Sequence, residues 1–164
     1  MDQSQVELLV WAKLTERQRS QARAIEITPE QVEYAGSVEA QMKSIEDRSS
    51  DDQVGLGIVW QSDLIGLLSL KRLSKAPSWA SSRSAVISGL RLDIRHQGRG
   101  FGRVALLSLP EWVAQHWPDC SSLSLAVDEE NVAGIKAYRA AGFLDLGPRQ
   151  QGRIGWVQYM SRPL

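Results

Sequence analysis

A glycine-rich turn, Gln97-Gly98-Arg99-Gly100-Phe101-Gly102, joins an apolar strand-like run, Ala85 to Ile94, to a helix-like run that begins at Arg103. Strand, glycine turn and helix in that order leave the backbone few choices. Glycines let successive N–H groups converge without side-chain obstruction, and the following helix adds the partial positive charge of its N-terminus at the same point. The arrangement predicts a ligand that carries a pyrophosphate. The spacing is not that of a dinucleotide fingerprint, because Gly98, Gly100 and Gly102 recur every second residue. Nor is it a P-loop, since Arg103-Val104 stands where Lys-Ser/Thr is required. Taken alone, the turn could equally be a corner with no ligand.

The rest of the chain reads as one α/β domain. Val6 to Lys13 is strand-like, and Thr15 to Arg23 is a helix opened by a Thr cap. Thr28-Pro29-Glu30 starts a helix that could run to about Asp47. A polar loop at Ser49 to Asp52 precedes a hairpin, Val54 to Trp60 and Leu64 to Leu73, turning at Gln61-Ser62-Asp63. Ser74 to Ser84 is a loop bordering a pocket. In the strand that follows, Val86, Leu90, Leu92 and Ile94 are expected on one face, with Arg91 and Asp93 on the other beside the glycine turn. A helix to Trp117 should bury Val104, Leu107 and Val113 and kink before Pro110. Ser121 to Val127, Phe143 to Leu146 and Ile154 to Met160 are strands, and Asn131 to Ala141 is a helix closed by Gly142. This order predicts a mixed sheet with helices on both faces.

The helix from Asn131 narrows the identity of the ligand. Asn131 and Tyr138 stand two helical turns apart, so with Gly134 and Ile135 they share a face that can offer an amide and a phenol to one molecule. The turn Gln97 to Gly102, then Asn131 through Ala133-Gly134-Ile135 to Ala137-Tyr138, then Ala141-Gly142-Phe143, resemble the GNAT superfamily of acetyl-CoA-dependent N-acetyltransferases. The resemblance is specific over residues 84 to 147, and the order of elements extends it to nearly the whole chain, 1–164, as a single GNAT-like domain with a mostly antiparallel sheet.

The resemblance implies roles for individual residues. Gln97, Gly100 and Gly102 match the family's pyrophosphate pattern, with backbone amides from Gly98 through Phe101 to Gly102 wrapping the diphosphate and Arg99 and Arg103 adding countercharge. Backbone groups of Leu90, Arg91 and Leu92 would pair with the pantetheine arm as a peptide pairs with a sheet edge. An N–H near Leu92 would meet the acetyl carbonyl and stabilise the oxyanion of the tetrahedral intermediate, a role typically worth about 3 kcal/mol per donor. Tyr138 resembles the general acid that protonates the departing thiolate, and Asn131 would bond the pantetheine arm or cap its own helix.

The base is less legible. Many members carry a Glu in the strand before the glycine turn, where this chain has Arg91 and Asp93. Asp93 and Glu33 are the candidates on the acceptor side, and a water chain would also serve. His96 adjoins the pyrophosphate turn and reads as a solvated histidine, while His116 with Cys120 offers too few ligands for a metal.

Composition excludes several other classes. The 19 basic and 19 acidic residues cancel, so no overall field draws the chain to nucleic acid or anionic lipid. Apolar runs fall far short of the roughly 20 residues of a spanning helix, Met1 to Gln5 does not resemble a signal peptide, and the single Cys120 cannot form an internal disulfide. A cytoplasmic location is the expectation. Residues 1 to 55 hold 11 acidic and 6 basic residues. With the acceptor cleft expected between Pro29–Asp47 and Ser74–Ser84, Glu30, Glu33 and Glu39 could attract a polyamine or another small cation. The expected activity is acetyl transfer from acetyl-CoA to a small-molecule primary amine by direct attack in a ternary complex, without a metal. Acetylation of a peptide or protein amine, and a non-catalytic acyl-CoA sensor, are the alternatives. A homodimer is common among similar enzymes.

Overall fold

The computed structural model describes residues 5–47, 50–147 and 149–164. The chain begins with β1 (Val6–Val10), α1 (Glu16–Arg23), α2 (Pro29–Ala35) and α3 (Val38–Glu46), followed by β2 (Gln53–Trp60), β3 (Asp63–Lys71) and β4 (Ser84–Leu92). It continues with α4 (Phe101–His116), β5 (Ser122–Asp128), α5 (Val132–Ala140), β6 (Leu144–Asp145), β7 (Gln150–Gln151) and β8 (Trp156–Pro163). The strands form one open sheet in the order β1-β2-β3-β4-β5-β8-β6, with β7 paired to β8. All pairings are antiparallel except β4 with β5. The expected mixed sheet with helices on both faces is therefore the observed one.

Two cores sandwich the sheet. On one side Phe101, Ala105, Leu106, Leu109 and Val113 of α4 pack with Ile135 of α5 onto β2 to β5 and β8. On the other, Ala22, Met42 and Ile45 of α1 and α3 cover Val59, Leu64 and Leu67. Because β2 and β3 are covered on both faces, they read as continuous apolar runs rather than alternating ones. At Gly55 an added Cβ would lie 2.6 Å from Ile45 Cγ2, so the glycine makes the room that α3 needs to dock.

Several local expectations change. The helix expected from Pro29 to about Asp47 is two helices, because Gly36 takes φ 77 and Ser37 re-caps the chain by accepting from Ala40 N–H. The first strand stops at Val10 and continues as a short 3-10 turn. The central strand stops at Leu92, and its expected alternation fails at Gly89, where φ is +64. There Leu67 faces Arg91 while Ser69 faces Ser88, so one residue of β3 opposes two of β4. The bulge puts Ile87, Leu90 and Leu92 on the α4 side and Val86 on the other; Arg91 and Asp93, opposite Leu90 and Leu92, are buried to 4% and 2% exposure under the end of α2 and the Glu26 segment. In α4, Leu107 is exposed and Ala105, Leu106 and Leu109 are buried in its place. The helix continues through Pro110, whose missing N–H removes one internal bond. Ser49 and Met1 to Ser4 lie outside the described residues. Among the described residues no helix is long and apolar enough to cross a membrane, and no cluster of potential metal ligands occurs.

Candidate active site

The glycine turn opens α4 as the sequence requires. Gly98 and Gly100 take φ 73 and 86, a region that costs other residues about 1–2 kcal/mol. An added Cβ at Gly98 or Gly102 would meet nothing within 4 Å, so that side of the turn is open to a ligand. Gly100 is the N-cap of α4 and provides no side-chain cap. The first-turn N–H groups of Phe101, Gly102 and Arg103 therefore present the helix dipole outward, the arrangement that suits a phosphate. Phe101 contributes only its backbone here, because its ring is fully buried. Arg103 lines the cleft beside the turn. Arg99 does not line it and instead stacks its guanidinium over Trp60 and Phe101, 5.4 and 5.2 Å from their ring centres.

Next to the turn the sheet splits. β4 and β5 pair only over Ser84–Val86 and Ser122–Ser124, and beyond Val86 the two strands part. The gap continues as a cleft of about 370 Å³ lined by Leu90, Arg91 and Leu92 of β4, by the turn, and by α5. The direction of β4 backbone groups can be read from their partners. Asp93 N–H donates to Ile65 O of β3 at 2.8 Å, and Leu92 O accepts from the Gln97 side chain at 2.8 Å. Since successive strand residues alternate in direction, the N–H of Leu92 points away from β3, toward the gap. The bulge and the splitting thus leave backbone donors on an open edge where a ligand can pair with them.

On the other wall, α5 presents Asn131, Gly134, Ala137 and Tyr138. Asn131 is the N-cap, its Oδ1 accepting from Gly134 N–H at 3.0 Å. Its amide NH₂ group remains on the cleft side as a donor. Ile135, expected on the same face, instead enters the core. Tyr138 stands edge-on to Phe143 at 6.1 Å and borders both the large cleft and a smaller cavity of about 90 Å³. Its hydroxyl has no hydrogen-bond partner among the described residues. Burial raises its phenol above the usual value, so the group keeps its proton at neutral pH.

Other candidate residues serve the framework. Arg91 donates to Gly36 O and Ala35 O, both at 2.8 Å, and so clamps the C-terminal end of α2 to β4 with a buried cation that the helix dipole favours. Asp93 is not among the cleft residues. Burial alone would raise its carboxyl, but the Arg95 side chain and the N–H groups of Glu26 and Arg95 outweigh this and hold it below the usual range. A carboxylate so satisfied is a poor proton acceptor. Glu33 is exposed and also lies off the cleft, its carbonyl accepting from Arg153 at 2.7 Å. His96 is not solvated but packed, edge-on to Trp60 and Phe101 and with Nδ1 3.6 Å from Asp93.

The segment from Pro29, expected to border the acceptor cleft, and the end of β5 each add residues that the sequence did not single out. Ile27, Gln31, Tyr34 and Ala35 bring α2 over the cleft, and Gln31 exchanges amide hydrogen bonds of 3.1 and 3.0 Å with Gln97. Asp128 closes β5 in the smaller cavity beside Tyr138. The capping signal at Thr28 marked where α2 starts, but nothing local marked where it docks.

Comparison with known proteins agrees with this geometry. Residues 12–143 match the acetyltransferase (GNAT) family. A stretch of 70 residues is 37% identical to an uncharacterized N-acetyltransferase, YbbJ, of Bacillus subtilis strain 168, spanning 43% of this chain and 44% of that protein. The fold superposes on aminoglycoside acetyltransferase AAC(6')-Ib solved with coenzyme A, with a TM-score of 0.76 at 17% identity over 96% of this chain and 94% of the other. It also superposes on the Vibrio cholerae spermidine N-acetyltransferase solved with CoA and spermine, with a TM-score of 0.66 at 19% identity over 98% and 96%. At such identities these structures establish the shared fold alone. The family match covers most of the chain, and the protein belongs to the GNAT acetyltransferase family.

Proposed function

We propose that the protein transfers an acetyl group from acetyl-CoA to the primary amine of a small molecule, by direct attack while both are bound. Tyr138 carries this reading. Its protonated hydroxyl has no hydrogen-bond partner among the described residues, and the residue lines both the open β4–β5 gap and the smaller cavity. The turn from Gly98 to Arg103 receives the diphosphate, and the open edges of Leu90 and Leu92 pair with the pantetheine arm. The N–H of Leu92 is positioned to stabilise negative charge on the acetyl oxygen as the amine adds. The attacking nitrogen loses its proton to water of the open cleft, Tyr138 gives its own proton to the sulfur as the C–S bond breaks, and Asn131 steadies the arm from α5.

The finer reading of a polyamine acceptor finds little support. Glu30, Glu33 and Glu39, the acids expected to attract it, lie on α2 and α3 but do not line either cavity beside Tyr138. The test is a thiol-release screen of amines with acetyl-CoA. Turnover of at least one small amine is expected. Binding of acetyl-CoA with no turnover across small amines and peptides would leave a sensor in place of an enzyme.

A further inference from the structure

We infer that the acceptor is an amine with an anionic group at its far end, held between Asp128 and Lys71 along the face of β4 and β5 that α1 to α3 leave uncovered; this rests on the acetyl-transfer reading above. The surface is a continuous trough. The small cavity beside Tyr138 adjoins a second one of about 410 Å³, and the two share Tyr34, Ala35, Ile87, Ser88, Gly89 and Ala126. Strand alternation sets its floor. Leu123, Leu125 and Val127 enter the core, so Ser124, Ala126 and Asp128 turn the other way. Likewise Leu68 and Leu70 enter the core, and Lys71 opposes Val86 on the trough side.

The two ends differ in charge. At the Tyr138 end the only acid among the lining residues is Asp128, whose carboxylate makes no hydrogen bond or ion pair among the described residues. Burial holds its proton more tightly than usual, opposed by Arg153 and reinforced by Glu130. Arg153 is already engaged by the Glu33 carbonyl, so its charge screens Asp128 without capturing it. Tyr34 and Tyr138 complete the surroundings. A partly buried carboxylate with no partner of its own favours a cation beside it, and an ammonium supplies one. An ammonium held there, once it gives a proton to water, presents its nitrogen in the cavity that Tyr138 also lines.

At the far end the lining has no acid at all. Lys71 and Lys75 flank Pro77 and Trp79, and Lys71 makes no ion pair among the described residues. A second cation would be repelled there, whereas a carboxylate or phosphate would be attracted. A diamine or polyamine fits one end of this trough only. An ω-amino acid or the N-terminus of a short peptide fits both.

The experiment compares matched acceptors in the thiol-release assay: ω-amino acids from β-alanine to 8-aminooctanoate, each against the α,ω-diamine of equal chain length. The best amino acid should exceed its diamine in kcat/KM by about tenfold. Lys71→Met should abolish that preference and Lys71→Glu should reverse it, which a merely structural lysine would not do. Asp128→Asn should raise KM for both classes by about tenfold while the calorimetric affinity for acetyl-CoA is unchanged. Diamines turned over as well as amino acids, a preference indifferent to Lys71→Glu, or acetyl-CoA binding with no turnover of either class would each overturn the inference. Absence of acetyl-CoA binding would instead remove the acetyl-transfer reading, and this inference with it.

Discussion

The two ends of the β4–β5 junction use polar side chains in opposite ways. Where the strands pair, Ser84 bonds Ser122 and Ser124 at 2.8 and 2.6 Å, and Ser124 donates to Ser161 at 3.1 Å, tying three strands through their hydroxyls. A few residues further on, after the strands part, Tyr138 and Asp128 stand at the gap with no side-chain hydrogen bond for either among the described residues. The same contrast separates β4 from β5. Arg91 and Asp93 at the end of β4 are saturated with internal hydrogen bonds, whereas Asp128 at the end of β5 is not. Polar groups that satisfy one another hold the frame, and those left unsatisfied are where a ligand gains most by binding.

The sharpest way to break this contrast is Tyr138→Phe. It should lower kcat by about a hundredfold or more with coenzyme A affinity intact, measured by thiol release and calorimetry on the same preparation. Arg91→Met attacks the opposite class. It strands the carbonyls of Ala35 and Gly36 and should cost about 2–3 kcal/mol in urea unfolding, loosening α2 over the cleft.

Asp93→Asn and Asp128→Asn are the same chemical change with opposite expected signs. The folded-state Asp93 carboxyl is depressed, so its contribution is present above the unfolded value of about 4 and fades as pH falls through the folded one. Asp93→Asn should therefore destabilise by about 1–2 kcal/mol at neutral pH, and the difference should shrink in acid. The Asp128 carboxyl is raised, so its ionised form opposes folding once pH passes the unfolded value. Asp128→Asn should leave thermal stability equal or higher at neutral pH while losing acceptor binding. A parallel loss of stability in both variants would erase the distinction between frame and site.

This division also explains what the sequence could convey. The glycine turn and α5 were legible because their chemistry is local: φ values that favour glycine, a helix N-terminus, an Asn cap and a Tyr two turns later. The mixed sheet with helices on both faces followed from the succession of elements. The burial of Arg91 and Asp93 was not legible, because it depends on the end of α2 and the Glu26 segment docking over the end of β4, contacts distant in sequence. The helix expected from Pro29 to about Asp47 is divided because Gly36 ends one helix and Ser37, as a new cap, starts another. Asp128 and Lys71, distant in sequence, come to share a trough only through the parallel crossover that places β5 beside β4. Local rules identify the cofactor side, and tertiary pairing builds the acceptor side.

Calorimetric titration of the wild-type protein and Tyr138→Phe with coenzyme A tests the central claim most directly. One-to-one binding of matching heat and affinity in both proteins, with turnover lost only in the variant, is the predicted result. No heat of association in the wild type, or full turnover in the variant, would contradict it.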